Sequence, residues 1–489
     1  MLSRRQLTLI GSVVPLCGLL LGCASVDPTL DYERARQGVA RATGHESMYV
    51  PGQSDAVNDR VGSLLSNGLT TEEAVQVALL NNPDLQAAWM NLGMARADFV
   101  QAGLLSNPSL GGSLRFPSGG GLANLELAIA QNIADLWRIP ARQRTAQAVI
   151  EREILRFARQ AADLAADTQV AYYRTVGATE LQEVAKENLA IAEQLLELAI
   201  GRQSAGAGAE LEVNLSRSTV LEARLAVESA RLAAAEQKRT LARLLGISSD
   251  PETLVLVEKL PDSRDFRLQV DQVIEHAQQT RLDVRAADLA VTQAESELKA
   301  EYLEVWPTLE LGVDMERGER KSGQDEGADF GIGPGWNLEL PIFDQNQAQI
   351  AKAGYALEQA RLKLESIRRS ATQEVRGACD RLSTAWSIAG LYRDQFTPLA
   401  RKSLELSRDS YNAGRASFLA VLEAQRFYLD TRRRSIEALQ AAAGAIPELE
   451  RVTASPIAEL LNSLAGSSAE RGPASRPPVM ATDRMEIQP

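Results

Sequence analysis

Two hydrophobic periodicities follow one another along the chain, and the pair occurs twice. A helical pattern predicts a helix over 85–105, ending shortly before Pro108. Two short alternating segments come next. In the first, Leu110, Leu114 and Phe116 take one face, and Ser109, Ser113 and Arg115 the other. After Ser118-Gly119-Gly120-Gly121, Leu125, Leu127 and Ile129 alternate with Asn124, Glu126 and Ala128. A period of two means a strand with one apolar and one polar face. A very long helical run over 139–200 follows, breaks at a Gly-containing turn and returns as a helix over 210–245.

The second half repeats this order. A helix over 284–305 precedes Pro307, and Leu309, Leu311, Val313 and Met315 then alternate with Glu310, Gly312, Asp314 and Glu316. Phe330, Ile332, Trp336, Leu338 and Leu340 alternate with Gly331, Gly333, Gly335, Asn337 and Glu339. A long helix is predicted over 347–411 and a returning one over 418–443. The residues themselves repeat. Asp84-Leu85-Gln86-Ala87-Ala88 and Asn107-Pro108-Ser109-Leu110 reappear as Asp283-Val284-Arg285-Ala286-Ala287 and Trp306-Pro307-Thr308-Leu309, shifted by about 199. Ala205-Gly206 with Leu211 and Val213 matches Ala413-Gly414 with Leu419 and Val421, shifted by about 208. A unit of this length is a duplicated half-protein rather than a solenoid repeat.

Strands of about 9 to 11 residues have the length of tilted membrane-spanning strands. Four cannot close a barrel, since the smallest have about eight. If their apolar faces meet lipid, their edges must be paired, so the chain must oligomerise. Three copies give a twelve-stranded barrel, and two copies also satisfy the arithmetic. The alternative on pattern alone is a small soluble sheet packed on the helices. Pro334 is more tolerable near a barrel rim than in a central strand. The run over 139–200 makes a rod of about 93 Å. Apolar residues recur seven apart, at Leu422, Leu429 and Ile436, or at Leu211, Leu225 and Leu232 with Ser218 in the series. Flanking alanines let helices approach closely. A solid coiled-coil scaffold fits the helices as well as a tube does; the lipid-type strands in the same repeat favour the tube.

Composition narrows the function. The 489 residues carry a net charge of -12 and are 45% hydrophobic but only 5% aromatic. The acidic balance argues against a nucleic-acid partner. Two histidines and three cysteines leave little material for a metal site or a disulfide framework. No phosphate loop, no carboxylate pair with a base and no Ser/His arrangement is present, so neither enzymatic activity nor a cofactor is expected. At the N-terminus, Arg4 and Arg5 precede an apolar run over 7–21, which reads as a signal peptide. Leu20-Leu21-Gly22-Cys23 resembles a bacterial lipobox, with Cys23 as the lipidated residue. Ala24 follows where an inner-membrane retention signal would place Asp, so outer-membrane sorting is implied. A plain signal peptide is the alternative, and Ser3-Arg4-Arg5 also resembles a twin-arginine signal. Cys379, the remaining thiol once Cys17 and Cys23 are accounted for, reads as a packed residue.

Several motifs together resemble the outer-membrane efflux family, the trimeric channels typified by TolC. They are Asn81-Asn82-Pro83-Asp84-Leu85 after an entry helix, Leu340-Pro341-Ile342-Phe343 before the second long helix, and Tyr411-Asn412-Ala413-Gly414 with Phe418-Leu419-Ala420-Val421-Leu422-Glu423-Ala424-Gln425-Arg426. The resemblance implies a mainly α fold with a small β part. Duplicated helical-hairpin halves would form a trimeric α-helical tunnel, and four strands per chain a 12-stranded transmembrane barrel. The expected division is a signal peptide over 1–22, a lipid-anchored segment over 23–68, repeats over 69–246 and 271–446, equatorial segments over 247–270 and 447–466, and a disordered tail over 467–489. A homotrimer in outer-membrane lipid would serve a periplasmic adaptor and an inner-membrane pump as a passive duct, for heavy-metal cations or small toxic compounds. In the family, polar links near the second hairpin hold the tunnel tip shut. Tyr411 falls on the gate tyrosine and Glu423 on one of two acidic constriction residues. Ala420 occupies the other acidic position and Ala416 that of the gate arginine, with Arg415 one step away. Gly206, Gly208 and Gly414 lie at the tips that would meet the adaptor. Glu126, Glu310, Asp314, Glu316 and Glu339 would line the barrel lumen. The runner-up reading is a periplasmic coiled-coil scaffold or adaptor without a pore.

Overall fold

The computed structural model describes residues 24–49, 51, 54–116, 123–248, 250–261, 268–318 and 329–461. Cys23, the signal segment 1–22, the glycine turn 118–121 and the tail 467–489 lie outside the described residues. The elements, in chain order, are helices α1 (Thr29–Thr43), α2 (Ser54–Ser66), α3 (Thr71–Asn81) and α4 (Pro83–Ala102), strands β1 (Ser109–Arg115) and β2 (Asn124–Asn132), and helices α5 (Asp135–Ser204) and α6 (Glu210–Leu244). The second half holds α7 (Val270–Thr280), α8 (Leu282–Glu304), β3 (Thr308–Gly318), β4 (Asp329–Glu339), α9 (Gln347–Leu391), α10 (Thr397–Asn412) and α11 (Phe418–Thr453). The duplicated, mainly helical fold with four strands is the one expected. Among the described residues, no helix is long and apolar enough to cross a membrane.

Helix α5 has 70 residues, which at the α-helical rise is about 105 Å. The second repeat departs from the expected single rod over 347–411. After Leu391 the chain makes a five-residue π-turn, Tyr392–Phe396, before α10. Pro398 is the physical reason: it withdraws one backbone donor and its ring crowds the preceding turn, which widens to accommodate it. The returning helix was expected to stop at 443, yet α11 runs through Pro447 to Thr453. Burial of Leu449 and Val452 against α7 and α9 offsets the lost hydrogen bond.

A collar of short elements braces the long helices. In α1, Tyr32 meets Trp89 edge-on at 5.0 Å, and Trp89 in turn packs on Phe157 of α5 at 4.2 Å. The Asn-Asn-Pro step is an anchor. Asn82 Oδ1 caps α4 by accepting from Asp84 N and Leu85 N, while its Nδ2 donates to Leu244 O at 2.9 Å. Asn81 Nδ2 donates to Leu245 O and Gly246 O, each at 2.9 Å. The buried Tyr172 hydroxyl donates to Leu69 O and accepts from Glu258 N; burial, the largest influence, pushes its pKa up to about 12.

The strands form one antiparallel sheet in the order β1-β2-β3-β4. Pro334 lies mid-strand opposite Val313, not at a rim. Among the described residues β4 pairs within the chain on one side only, with β3.

Candidate functional site

Two regions carry the function-bearing geometry: the two faces of the sheet and the far tips of the hairpins. Register puts Ser113, Glu126, Glu316 and Gly331 in one row across the four strands. Directly opposed residues share a face. Glu310 lies opposite Asn132 and Asn337, Asp314 opposite Ala128 and Gly333, and Glu339 opposite Thr308. The five acidic residues picked from the sequence therefore fall on a single face. Ser113 Oγ and Arg115 Nη2 donate to Glu126 Oε2 at 2.9 and 3.2 Å. Gly335 leaves room for the Asp314 carboxylate, which would lie 2.1 Å from a Cβ placed there.

The opposite face holds Leu110, Leu114, Ile129, Leu311, Val313, Phe330, Ile332, Trp336 and Leu338, all exposed in the single chain. A contiguous apolar face of this extent marks a surface that meets lipid or protein. Among the described residues, both edges, β1 and β4, are unpaired within the chain. Large apolar side chains continue the band below the strands at Trp306, Ile342 and Phe343, the last of which is 93% exposed. Trp306, an aromatic ring with a polar N–H, suits a membrane–water boundary at that level.

At the tips, Gly206 and Gly414 take the left-handed conformation, with φ of 75° and 68°. The two turns close alike. Ala207 N donates to Arg202 O at 2.9 Å and Arg415 N to Ser410 O at 2.8 Å, the long bond of a glycine-terminated helix. Gly208 is close-packed: a Cβ there would lie 2.9 Å from Gln203 N and 3.1 Å from Arg202 Cβ.

Tyr411 is 2% exposed and packs with Leu195, Phe418, Val421 and Leu422. Its hydroxyl donates to Glu212 Oε2 at 3.2 Å. Burial, and after it the Glu212 charge, raises its pKa. Above its ring, at 4.6 Å from the centroid, sits the Arg202 guanidinium. The structure thus joins Tyr411 to two residues of the first hairpin that the sequence reading did not select. Comparison of the repeats holds a signal for one of them. The shift of about 208 places Glu212 where the second repeat has Ala420. Arg415 and Glu423 are not brought to Tyr411. Arg415 is exposed on its turn, and Glu423, also exposed, lies 3.7 Å from Arg426 one turn along α11.

A sheet with one apolar face and open edges, carried on duplicated hairpins, is the architecture of an outer-membrane channel protomer. The chain belongs to the outer membrane efflux protein family, which it matches over residues 74–247 and 273–455. Among curated relatives, it is 26% identical to protein CyaE of Bordetella pertussis over 437 residues, 82% of this chain and 87% of that one. It is 26% identical to the pyoverdine export outer membrane protein OpmQ of Pseudomonas aeruginosa over 446 residues, 85% of this chain and 90% of that one. Among solved structures, the outer membrane protein VceC of Vibrio cholerae superposes with a TM-score of 0.64 at 18% identity, covering 79% of this chain and 96% of that one. The open state of the Neisseria gonorrhoeae MtrE outer membrane channel gives 0.62 at 19% identity, covering 79% and 89%.

Proposed function

We propose that three copies of this chain form the passive outer-membrane duct of a tripartite efflux system. Twelve strands close a barrel in the lipid, and the helices continue it as a tunnel into the periplasm. The tips around Gly206, Gly208 and Gly414 meet a periplasmic adaptor, an inner-membrane pump supplies the energy, and Cys23 carries the lipid anchor. The observation that supports this most is the exposed apolar face of a four-stranded sheet whose edges have no partner among the described residues of the chain. In a soluble scaffold that face would remain in water. Glu126, Glu310, Asp314, Glu316 and Glu339 give the lumen an acidic lining that favours cations over anions. That lining is compatible with the heavy-metal cations that the resemblance offers, beside small toxic compounds, as cargo; such metal ions would be cargo rather than a resident cofactor. Tyr411 with Glu212 forms the polar link that holds the tip shut, and Glu423, at the level of the constriction, presents a charge to passing solute.

The test is single-channel conductance of the purified protein in a planar bilayer, with Glu423→Ala beside the wild type. Discrete cation-preferring steps, altered in the variant, are expected. Absence of conductance together with absence of an SDS-resistant trimer would overturn the reading.

A further inference from the structure

We infer that Arg202 couples the adaptor-facing turn of the first hairpin to the gate tyrosine of the second, so that displacing the turn releases Tyr411. The inference rests on the duct reading above and goes beyond it in naming the residue through which contact at the tip reaches the gate.

Three interactions converge on this one guanidinium. Its Nη1 donates to Tyr411 O at 3.3 Å. Its Nη2 donates to Ala207 O, inside the first tip turn, at 3.4 Å. Its plane carries the Tyr411 ring, 4.6 Å from Cζ. The planar fork of arginine suits this arrangement, because separate donors reach two carbonyls while the delocalised charge rests on an aromatic face. The second hairpin has Ala416 at the place where the family pattern puts the gate arginine, and Arg415 points into solvent. The cation at the gate therefore comes from the opposite hairpin.

The coupling follows from what holds Arg202 in place. Among the described residues, no carboxylate lies within ion-pairing distance of it, so its position depends on two carbonyls and a ring. One of those carbonyls belongs to the turn Gly206–Gly208 itself. A movement of that turn removes the Ala207 acceptor and carries Arg202 away from Tyr411. Tyr411 then keeps the Glu212 carboxylate and its apolar neighbours but loses the cation on its ring. Gly208 makes the turn sensitive to contact, since even one added methyl would press on the Arg202 backbone and Cβ.

Two variants test this in planar bilayers, with trimer melting recorded in parallel. Loss of one cation–π contact and the paired carbonyl bonds is expected to raise open probability about tenfold in Arg202→Ala, with Arg202→Lys intermediate because it retains charge over the ring but loses the fork. Gly208→Ala, which displaces the turn without removing any polar group, is expected to raise open probability in the wild-type background. Combined with Arg202→Ala it should add nothing further, since both act through one contact. An intact Arg202→Ala trimer with wild-type open probability would overturn the coupling, as would an undiminished Gly208→Ala effect without Arg202. Silence of the wild type and of every variant, together with absence of an SDS-resistant trimer, would overturn the duct reading beneath it.

Discussion

Asp283 is one point at which the second repeat is fastened to the first, and replacing it isolates that contact. It opens α8 and accepts from Arg281 Nη2 at 2.6 Å and Nε at 3.0 Å. Arg159 of α5 pairs with the same carboxylate, and Arg281 Nη2 also reaches Glu374 of α9 at 2.7 Å. Arg281 is 4% exposed, so it depends on these partners. Burial pushes the Asp283 carboxyl up, but hydrogen bonds and charge from Arg281 and Arg159 outweigh it and hold the group at about 2, against an ordinary 3.8. Held that far below its ordinary value, the ionised carboxylate contributes about 2.5 kcal/mol. Leaving a buried arginine short of a partner costs about 3–5 kcal/mol in the extreme, and Glu374 retains part of it. Asp283→Asn is therefore expected to cost about 2–3 kcal/mol at pH 7. The carboxyl is depressed, so its contribution is complete above the unfolded value near 3.8 and is lost as pH falls through about 2. Guanidinium denaturation of the detergent-solubilised protein, followed by circular dichroism from pH 7 down to 2, should show wild type and variant converging at the acid end. A gap below about 0.5 kcal/mol at pH 7, or one unchanged with pH, would refute the reasoning.

Other perturbations test other parts. Val313→Arg puts a charge on the exposed apolar face of β3 and should cost about 2–4 kcal/mol of membrane stability, seen as loss of the heat-resistant trimer; an unaffected trimer would mean that this face does not meet lipid. Gly246→Ala brings a Cβ to 2.3 Å from Asn81 O at a φ of +67°, and a loss of about 1–3 kcal/mol in thermal or denaturant unfolding is expected. Cys23→Ser should abolish incorporation of radiolabelled fatty acid; retained label would place the anchor elsewhere.

The strand faces were legible before the fold because each side chain of a membrane strand has only two environments, lipid or lumen, and the residues alternate accordingly. Their register was not. Nothing in the alternation pairs Glu126 with Glu316, because β2 and β3 are joined by helices rather than a hairpin turn and meet only when the two halves pack. The tip glycines announced themselves by backbone freedom at Gly206 and Gly414. Arg202 did not, because its place over Tyr411 arises only when two hairpins pack side by side. Glu212 stood in between: aligning the halves puts it at the place of Ala420, but the alignment carries no sign that a carboxylate of one hairpin meets the tyrosine of the other. Helix ends in the second repeat erred in both directions for one reason. Pro398 widened a helix into a π-turn, while Pro447 was absorbed where burial of its neighbours was sufficient. A proline marks a lost hydrogen bond, and packing decides how the chain accommodates it.

If the sheet is one third of a barrel, β1 of one copy lies against β4 of the next, and strand-edge cross-linking reads that contact. With Cys379 buried, Ser113→Cys on β1 and Gly333→Cys on β4 place reactive thiols on the two free edges. Treatment of the membrane-inserted protein with a short bis-maleimide is expected to give a covalent ladder of one, two and three chains that stops there. A ladder ending at two, one continuing past three, or no linkage between chains would contradict the account.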